Sequence, residues 1–193
     1  MSEDAQQQVW LIRHAETEWS VSKRHTGRTD IPLLDEGRER ARALAPVLAQ
    51  HSFTTVLSSP LGRAVETASL AGLGSRAELR DDLLEWDYGS YEGITTAAVR
   101  EQRPDWYLWR DGAPGGETPA EVALRADRLI EEALGADGDV ALFAHGHILR
   151  AIGARWVEQE IAFGGRLALS TGALCVLGFE REMRVLWRWN DAA

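Results

Sequence analysis

Val9-Trp10-Leu11-Ile12-Arg13-His14 decides the fold: four apolar residues in a row stop abruptly at an arginine and a histidine. An unbroken apolar run of this length reads as a strand buried on both faces, and such strands belong to parallel sheets covered by helices. Two further stretches share the design. Thr54-Thr55-Val56-Leu57 runs into Ser58-Ser59-Pro60, and Asp139 to Ala144 runs into His145-Gly146-His147. The segments between them carry helical spacing. Ala41, Leu44, Ala45 and Leu48 predict a helix over Glu36 to Gln50 with Asp35 as its N-cap. A second helix starts at Pro60 or Leu61 and ends by Gly72. Glu117-Thr118-Pro119 opens a long one to about Leu134, and another spans Ile148 to Val157. Asp81 to Gly116 has no clean period and reads as loops and short helices laid over the site. Leu174 to Phe179 and Arg184 to Trp189 predict a hairpin turning near Arg181 to Met183. Strand and helix alternate, so the expected fold class is α/β: a three-layer α/β/α sandwich with a mainly parallel central sheet.

Composition bounds the rest. A chain of 193 residues, 45% hydrophobic and 26% charged, suits one domain spanning residues 1–193 with an ample core. Cys175 stands alone and cannot form an intramolecular disulfide, which fits a reducing compartment; a cytoplasmic location is expected. Met1 to Gln8 lacks the basic-then-apolar order of a signal peptide, and no stretch approaches the ~20 apolar residues of a membrane span. The 30 acidic side chains outnumber the 21 basic ones, a formal charge of −9, which argues against a nucleic-acid surface. An acidic protein that handles anions must gather its arginines locally.

The strand ends are where that gathering occurs. In open α/β sheets, ligands bind outside the carboxyl ends of the strands. Arg13, His14, Ser58, Ser59 and His145 therefore converge on one rim, and Arg63, one helical turn beyond Pro60, can reach back over it.

Leu11-Ile12-Arg13-His14-Ala15-Glu16-Thr17-Glu18-Trp19 resembles the signature of the histidine phosphatase superfamily, the phosphoglycerate-mutase-like proteins. Further blocks follow in family order. Thr26-Gly27-Arg28-Thr29-Asp30 resembles the next loop, and Ser58 to Thr67 the second arginine motif. Leu84-Glu85-Trp86-Asp87-Tyr88-Gly89 resembles the acid loop, and His145-Gly146 the second histidine motif.

The resemblance implies that His14 attacks phosphorus and becomes a phosphohistidine, which requires a neutral imidazole held in one tautomer. Arg13 and Arg63 would pair the phosphate oxygens with guanidinium forks, and His145, protonated, would add a donor. Glu85 would protonate the departing alkoxide, which needs its pKa raised by the anionic, partly closed site. Ser20, Thr26 and Gly27 would contact substrate. No metal or other cofactor is expected, since cationic side chains replace it. The expected partner is a small-molecule phosphate monoester, with a homodimer left open.

Within the family, Ser20 and His147 stand where mutases tend to carry asparagine, and the interval after the acid loop has no lysine; Lys23 is the chain's only one. Phe143 to Arg150 resembles the phosphatase branch, including sugar-bisphosphatase-like members. The expected activity is hydrolysis of small metabolite phosphates, sugar phosphates among them, with phosphoglycerate mutase as the alternative. Trp86, Trp106 and Trp109 are candidates for the pocket wall. Cys175, in an apolar strand, is expected to be a buried hydrophobe.

Overall fold

The computed structural model describes residues 7–192. Most of the polar stretch Met1 to Gln8 lies outside them. In chain order the elements are β1 (Val9–Arg13), α1 (Glu18–Val21), α2 (Asp35–Ala43), α3 (Ala45–Leu48), β2 (Phe53–Ser58), α4 (Gly62–Leu70) and β3 (Glu78–Leu79). They continue with α5 (Thr96–Gln102), α6 (Leu108–Asp111), α7 (Pro119–Leu134), β4 (Asp139–Ala144), α8 (Gly146–Trp156), β5 (Leu174–Glu180) and β6 (Met183–Asp191).

The strands form one six-stranded sheet in the order β3-β2-β4-β1-β5-β6. The first four run parallel to one another, while β5 and β6 form the hairpin and pair antiparallel, β5 against β1. Helices cover both faces, as the apolar runs require. Val9 and Leu11 join Leu142 and Val122 in one buried cluster, whereas Trp10 and Ile12 join Phe143 and Leu44 in the other. Alternate side chains of β1 thus feed opposite layers, which is why every residue from Val9 to Ile12 is apolar.

The structure departs from expectation in three places. The helix over Glu36 to Gln50 is broken at Leu44 into α2 and α3, because Pro46 has no N–H to donate and sits in the first turn of α3. Asp35 is not the N-cap; that position falls to Leu34, and Asp35 lies in the first turn, where it pairs with Arg38 at 3.0 Å. The strand β3, two residues long, had no apolar pattern to announce it. The long helix α7 opens as read: Thr118 caps it and exchanges hydrogen bonds with Glu121. Among the described residues, no helix is long and apolar enough to cross a membrane.

Candidate active site

β1 and β4 are adjacent and in register, Arg13 opposite Ala144, so the residues that follow them, His14 and His145, emerge side by side. Their ring centroids are 5.2 Å apart. A cavity of about 290 Å³ opens at this rim; Arg13, His14, Glu85, Tyr88 and His147 line it with Ser20, Lys23, Arg24, His25, Thr26 and Thr96.

His14 is buried, and its Nδ1 lies 2.7 Å from the backbone carbonyl of Ala15. A carbonyl only accepts, so Nδ1 carries the proton and Nε2 keeps its lone pair. Burial, with the charges of Arg13 and Arg63 added, lowers the His14 pKa to about 3, so the ring is neutral at physiological pH. Arg13 holds the Leu169 carbonyl with one terminal nitrogen, while its buried Nε has no hydrogen-bond partner. An unsatisfied buried donor on a cation is costly, and Arg13 lines the cavity beside His14, where its charge suits an anion. Gly146 makes room for this guanidinium: a Cβ there would sit 3.2 Å from Arg13 Cζ.

Arg63 and His145 stand behind His14 and do not line the cavity. Arg63, fully buried, donates from Nε to His145 Nδ1 at 3.1 Å, from Nη1 to the Thr29 carbonyl at 2.8 Å and from Nη2 to the carbonyls of Thr26 and Gly27 at 3.2 and 2.9 Å. Its fork therefore ties the 26–30 loop to the second histidine. Because Arg63 Nε can only donate, His145 Nδ1 must accept, and His145 Nε2 then donates to Ser59 Oγ at 2.7 Å. In the free site burial and the Arg63 charge lower the His145 pKa well below 6.5, in keeping with a neutral ring; the protonated form expected from the sequence belongs to the phosphate-bound site.

Glu85 is buried where the acid loop meets the start of α8. Its carboxylate accepts the backbone N–H groups of Trp86, His147 and Ile148 at 2.9 to 3.1 Å. The last two belong to the first turn of α8, where peptide N–H groups have no partner within the helix. Burial alone would raise the carboxyl, but the His147 side chain and these amides hold it well below the usual range. In the free site Glu85 is thus held in its ionised form, and the raised carboxyl expected from the sequence belongs to the anion-filled site.

The smaller expectations divide. Ser20 lines the cavity, yet its hydroxyl donates to the Thr17 carbonyl at 2.9 Å. Thr26 also lines it, with its hydroxyl on the Arg24 carbonyl at 3.1 Å. Gly27 does not offer its amide to a ligand: both Glu92 carboxylate oxygens take it, at 2.9 and 3.0 Å. Cys175 is buried in β5, as read, and burial raises its thiol to about 12.

His25, Tyr88 and the His147 ring were missed as a group. His25 stacks on Tyr88 with centroids 4.8 Å apart, and Tyr88 Oη meets His147 Nδ1 at 2.7 Å. The available signal was Tyr88 three residues after Glu85, and the His145-x-His147 spacing. A second chamber of about 190 Å³ shares His25, Thr96 and His147 with the first. Arg100, Trp106, Tyr107, Leu108, Trp109, Arg150 and Gly165 complete its lining, which holds no carboxylate. Trp86 instead packs edge-on behind Trp109, with centroids 5.4 Å apart.

Residues 9–192 match the family model described as the histidine phosphatase superfamily (branch 1). The chain is 43% identical over 180 residues to an acid phosphatase of Mycobacterium tuberculosis, covering 91% of this chain and 88% of that one. It is 35% identical over 178 residues to the sedoheptulose 1,7-bisphosphatase of Saccharomyces cerevisiae, covering 76% and 66%. The solved structure of an open reading frame product from Mycobacterium tuberculosis superposes with a TM-score of 0.93 at 40% identity, over 96% of this chain and 98% of that one. With its strand-end histidine, buried arginines and acid loop arranged on this sheet, the chain belongs to the histidine phosphatase superfamily, branch 1.

Proposed function

We propose that the protein hydrolyses phosphate monoesters of small metabolites in two steps through a phosphohistidine on His14. One observation carries the reading. His14 is neutral and locked in the tautomer that leaves Nε2 nucleophilic, beside an arginine whose buried Nε has no partner and a buried carboxylate.

Nε2 attacks phosphorus in line with the departing oxygen, and Arg13 neutralises charge on the equatorial oxygens. Glu85 is ionised until a phosphate dianion arrives; that charge, a few ångströms away, favours the protonated carboxyl and makes Glu85 an acid when one is needed. The departing alkoxide takes its proton. Glu85 then accepts a proton from the water that splits the phosphohistidine. Charge neutralisation comes from guanidinium groups throughout, so turnover needs no divalent metal. Arg63 and His145 act from behind, fixing the 26–30 loop and the back wall of His14.

The second chamber supports a substrate whose alcohol portion is compact and polar. Aromatic faces and two arginines without a facing carboxylate suit a hydroxyl-rich or anionic group. Two of the relatives are named for phosphatase activity, one of them on a sugar bisphosphate, which favours sugar phosphates. The mutase alternative has less support, given Ser20 and His147.

The test is acid quenching after mixing with phosphate-labelled substrate. A label that is acid-labile, base-stable and absent from His14→Ala is expected. Phosphate release without such an intermediate would exclude the two-step route.

A further inference from the structure

The surroundings of Glu85 decide which of its oxygens can carry a proton. Oε1 accepts the amides of Trp86 at 2.9 Å, His147 at 3.1 Å and Ile148 at 3.0 Å. A carboxylate oxygen has two lone pairs, so Oε1 is saturated. Oε2 accepts the His147 amide at 2.9 Å and has capacity left. It faces the His147 ring, whose Nδ1 is 3.7 Å away. The same Nδ1 lies 2.7 Å from the Tyr88 hydroxyl, and that hydroxyl belongs to a ring stacked on His25. Trp109 packs beside the imidazole at 5.5 Å, and Trp86 meets it edge-on at 6.3 Å.

We propose that His147 positions the catalytic proton: in its imidazolium form it holds that proton on Nδ1 against the Tyr88 hydroxyl in the free enzyme, and as the phosphate binds the N–H turns to Glu85 Oε2 and passes the proton there, leaving a neutral ring. The assignment rests on the phosphatase reading above and extends it to a residue that acts through Glu85. The proton balance closes. One proton moves from Nδ1 to Oε2, then from Oε2 to the departing oxygen as the P–O bond breaks and the N–P bond forms. Water gives one proton to Oε2 as its oxygen attacks and the N–P bond breaks, and Oε2 hands that proton back to Nδ1 as the product phosphate leaves. A gap of 3.7 Å is longer than a hydrogen bond, and such contacts tighten when substrate fills the site.

The direction of the pH response follows. Across the two chambers the pair shares the lining with Arg13, His14, Lys23, Arg24, His25, Arg100 and Arg150, while Arg63 and His145 lie behind His14. Burial pushes the His147 pKa below 6.5, Glu85 pulls it back, and the Arg150 and Arg13 charges oppose proton uptake again. The shared proton is therefore taken up on the acid side of neutrality. Assistance to the leaving group is present at mildly acidic pH and is lost as the pH rises.

The experiment measures kcat against pH on 4-nitrophenyl phosphate, whose leaving group needs little protonation, and on glycerol phosphate, whose alkoxide needs much. Wild type, His147→Gln and Tyr88→Phe are compared. His147→Gln should lose at least tenfold more on glycerol phosphate than on 4-nitrophenyl phosphate, and its alkaline limb on glycerol phosphate should move to lower pH. Tyr88→Phe should show a smaller loss with the same preference, and it carries the test should His147→Gln not fold. Equal losses on both substrates, or an unmoved limb, overturn the proposal. A wild-type protein inactive on both substrates would instead overturn the phosphatase reading itself.

Discussion

Arg63→Met probes how the site is tied to the fold. The arginine side chain is wholly buried, and methionine replaces most of its alkyl volume, so the change removes hydrogen bonds more than packing. Its nitrogens serve His145 Nδ1 and the carbonyls of Thr26, Gly27 and Thr29. At about 1 kcal/mol net for each bond, these amount to about 4 kcal/mol. The pairing with Asp30, at 3.5 Å to a carboxylate that is 45% exposed, adds at most about 1 kcal/mol because water takes over. The expected loss is therefore about 3–5 kcal/mol, a large share of the ~5–15 kcal/mol that stabilises a domain. With a urea dependence of about 2 kcal/mol per molar, the unfolding midpoint should fall by about 2 M. Tryptophan fluorescence reads it directly, since Trp10, Trp86 and Trp156 are buried. Arg63→Lys keeps the charge on a single nitrogen and should recover less than half of the loss. A midpoint within 0.5 M of wild type for Arg63→Met would refute the additive account, as would complete rescue by lysine.

Other outcomes follow from the same geometry. His14→Asn should remove turnover and phosphoenzyme labelling together, read by quench and by phosphate release. Stability should decline on acidification. His14 and His25 have folded pKa values of about 3 and 4 against 6.5, so between those limits the unfolded chain binds protons that the folded one does not. Each such group removes up to about 1.4 kcal/mol per pH unit below pH 6.5, and urea midpoints at pH 7 and pH 5 check it. Activity should survive a chelator, and magnesium-dependent rescue would contradict the charge neutralisation by arginine. Phosphate release should far exceed isomerisation of 3-phosphoglycerate, measured with and without a bisphosphoglycerate primer.

The parallel strands were legible because an apolar run buried on both faces has no polar phase to obscure it, as Val9 to Ile12 shows. The interruption at Pro46 was present in the residues but was masked by the surrounding helical spacing of Leu44 and Leu48. β3 was illegible, since two exposed residues bonded to one neighbour leave no periodicity. In the site, the motifs located His14, Arg13, Arg63, His145 and Glu85, but not their hydrogen-bond states. Whether Gly27 has a free amide depends on Glu92, sixty-five residues away in sequence. Whether His145 Nδ1 accepts depends on Arg63, eighty-two residues away in sequence, donating to it. Those are properties of how loops meet, and no local pattern encodes them. The pairing of His147 with Tyr88 was hidden for the same reason.

The adjacency of β1 and β4 separates two kinds of change available to this protein. His14 and His145 inherit their spacing from peptide hydrogen bonds between strands, a ruler set by covalent geometry and indifferent to side chains. The shape of the space beside them is drawn by another author, the segment that supplies Arg100, Trp106, Tyr107 and Trp109. Substitutions there can remodel what fits without moving His14. The exception is Glu85, which lies in the remodelled segment yet is pinned by the peptide groups that open α8. That pin lets the covering segment drift while the acid stays in place, so new substrates can be admitted with the chemistry intact.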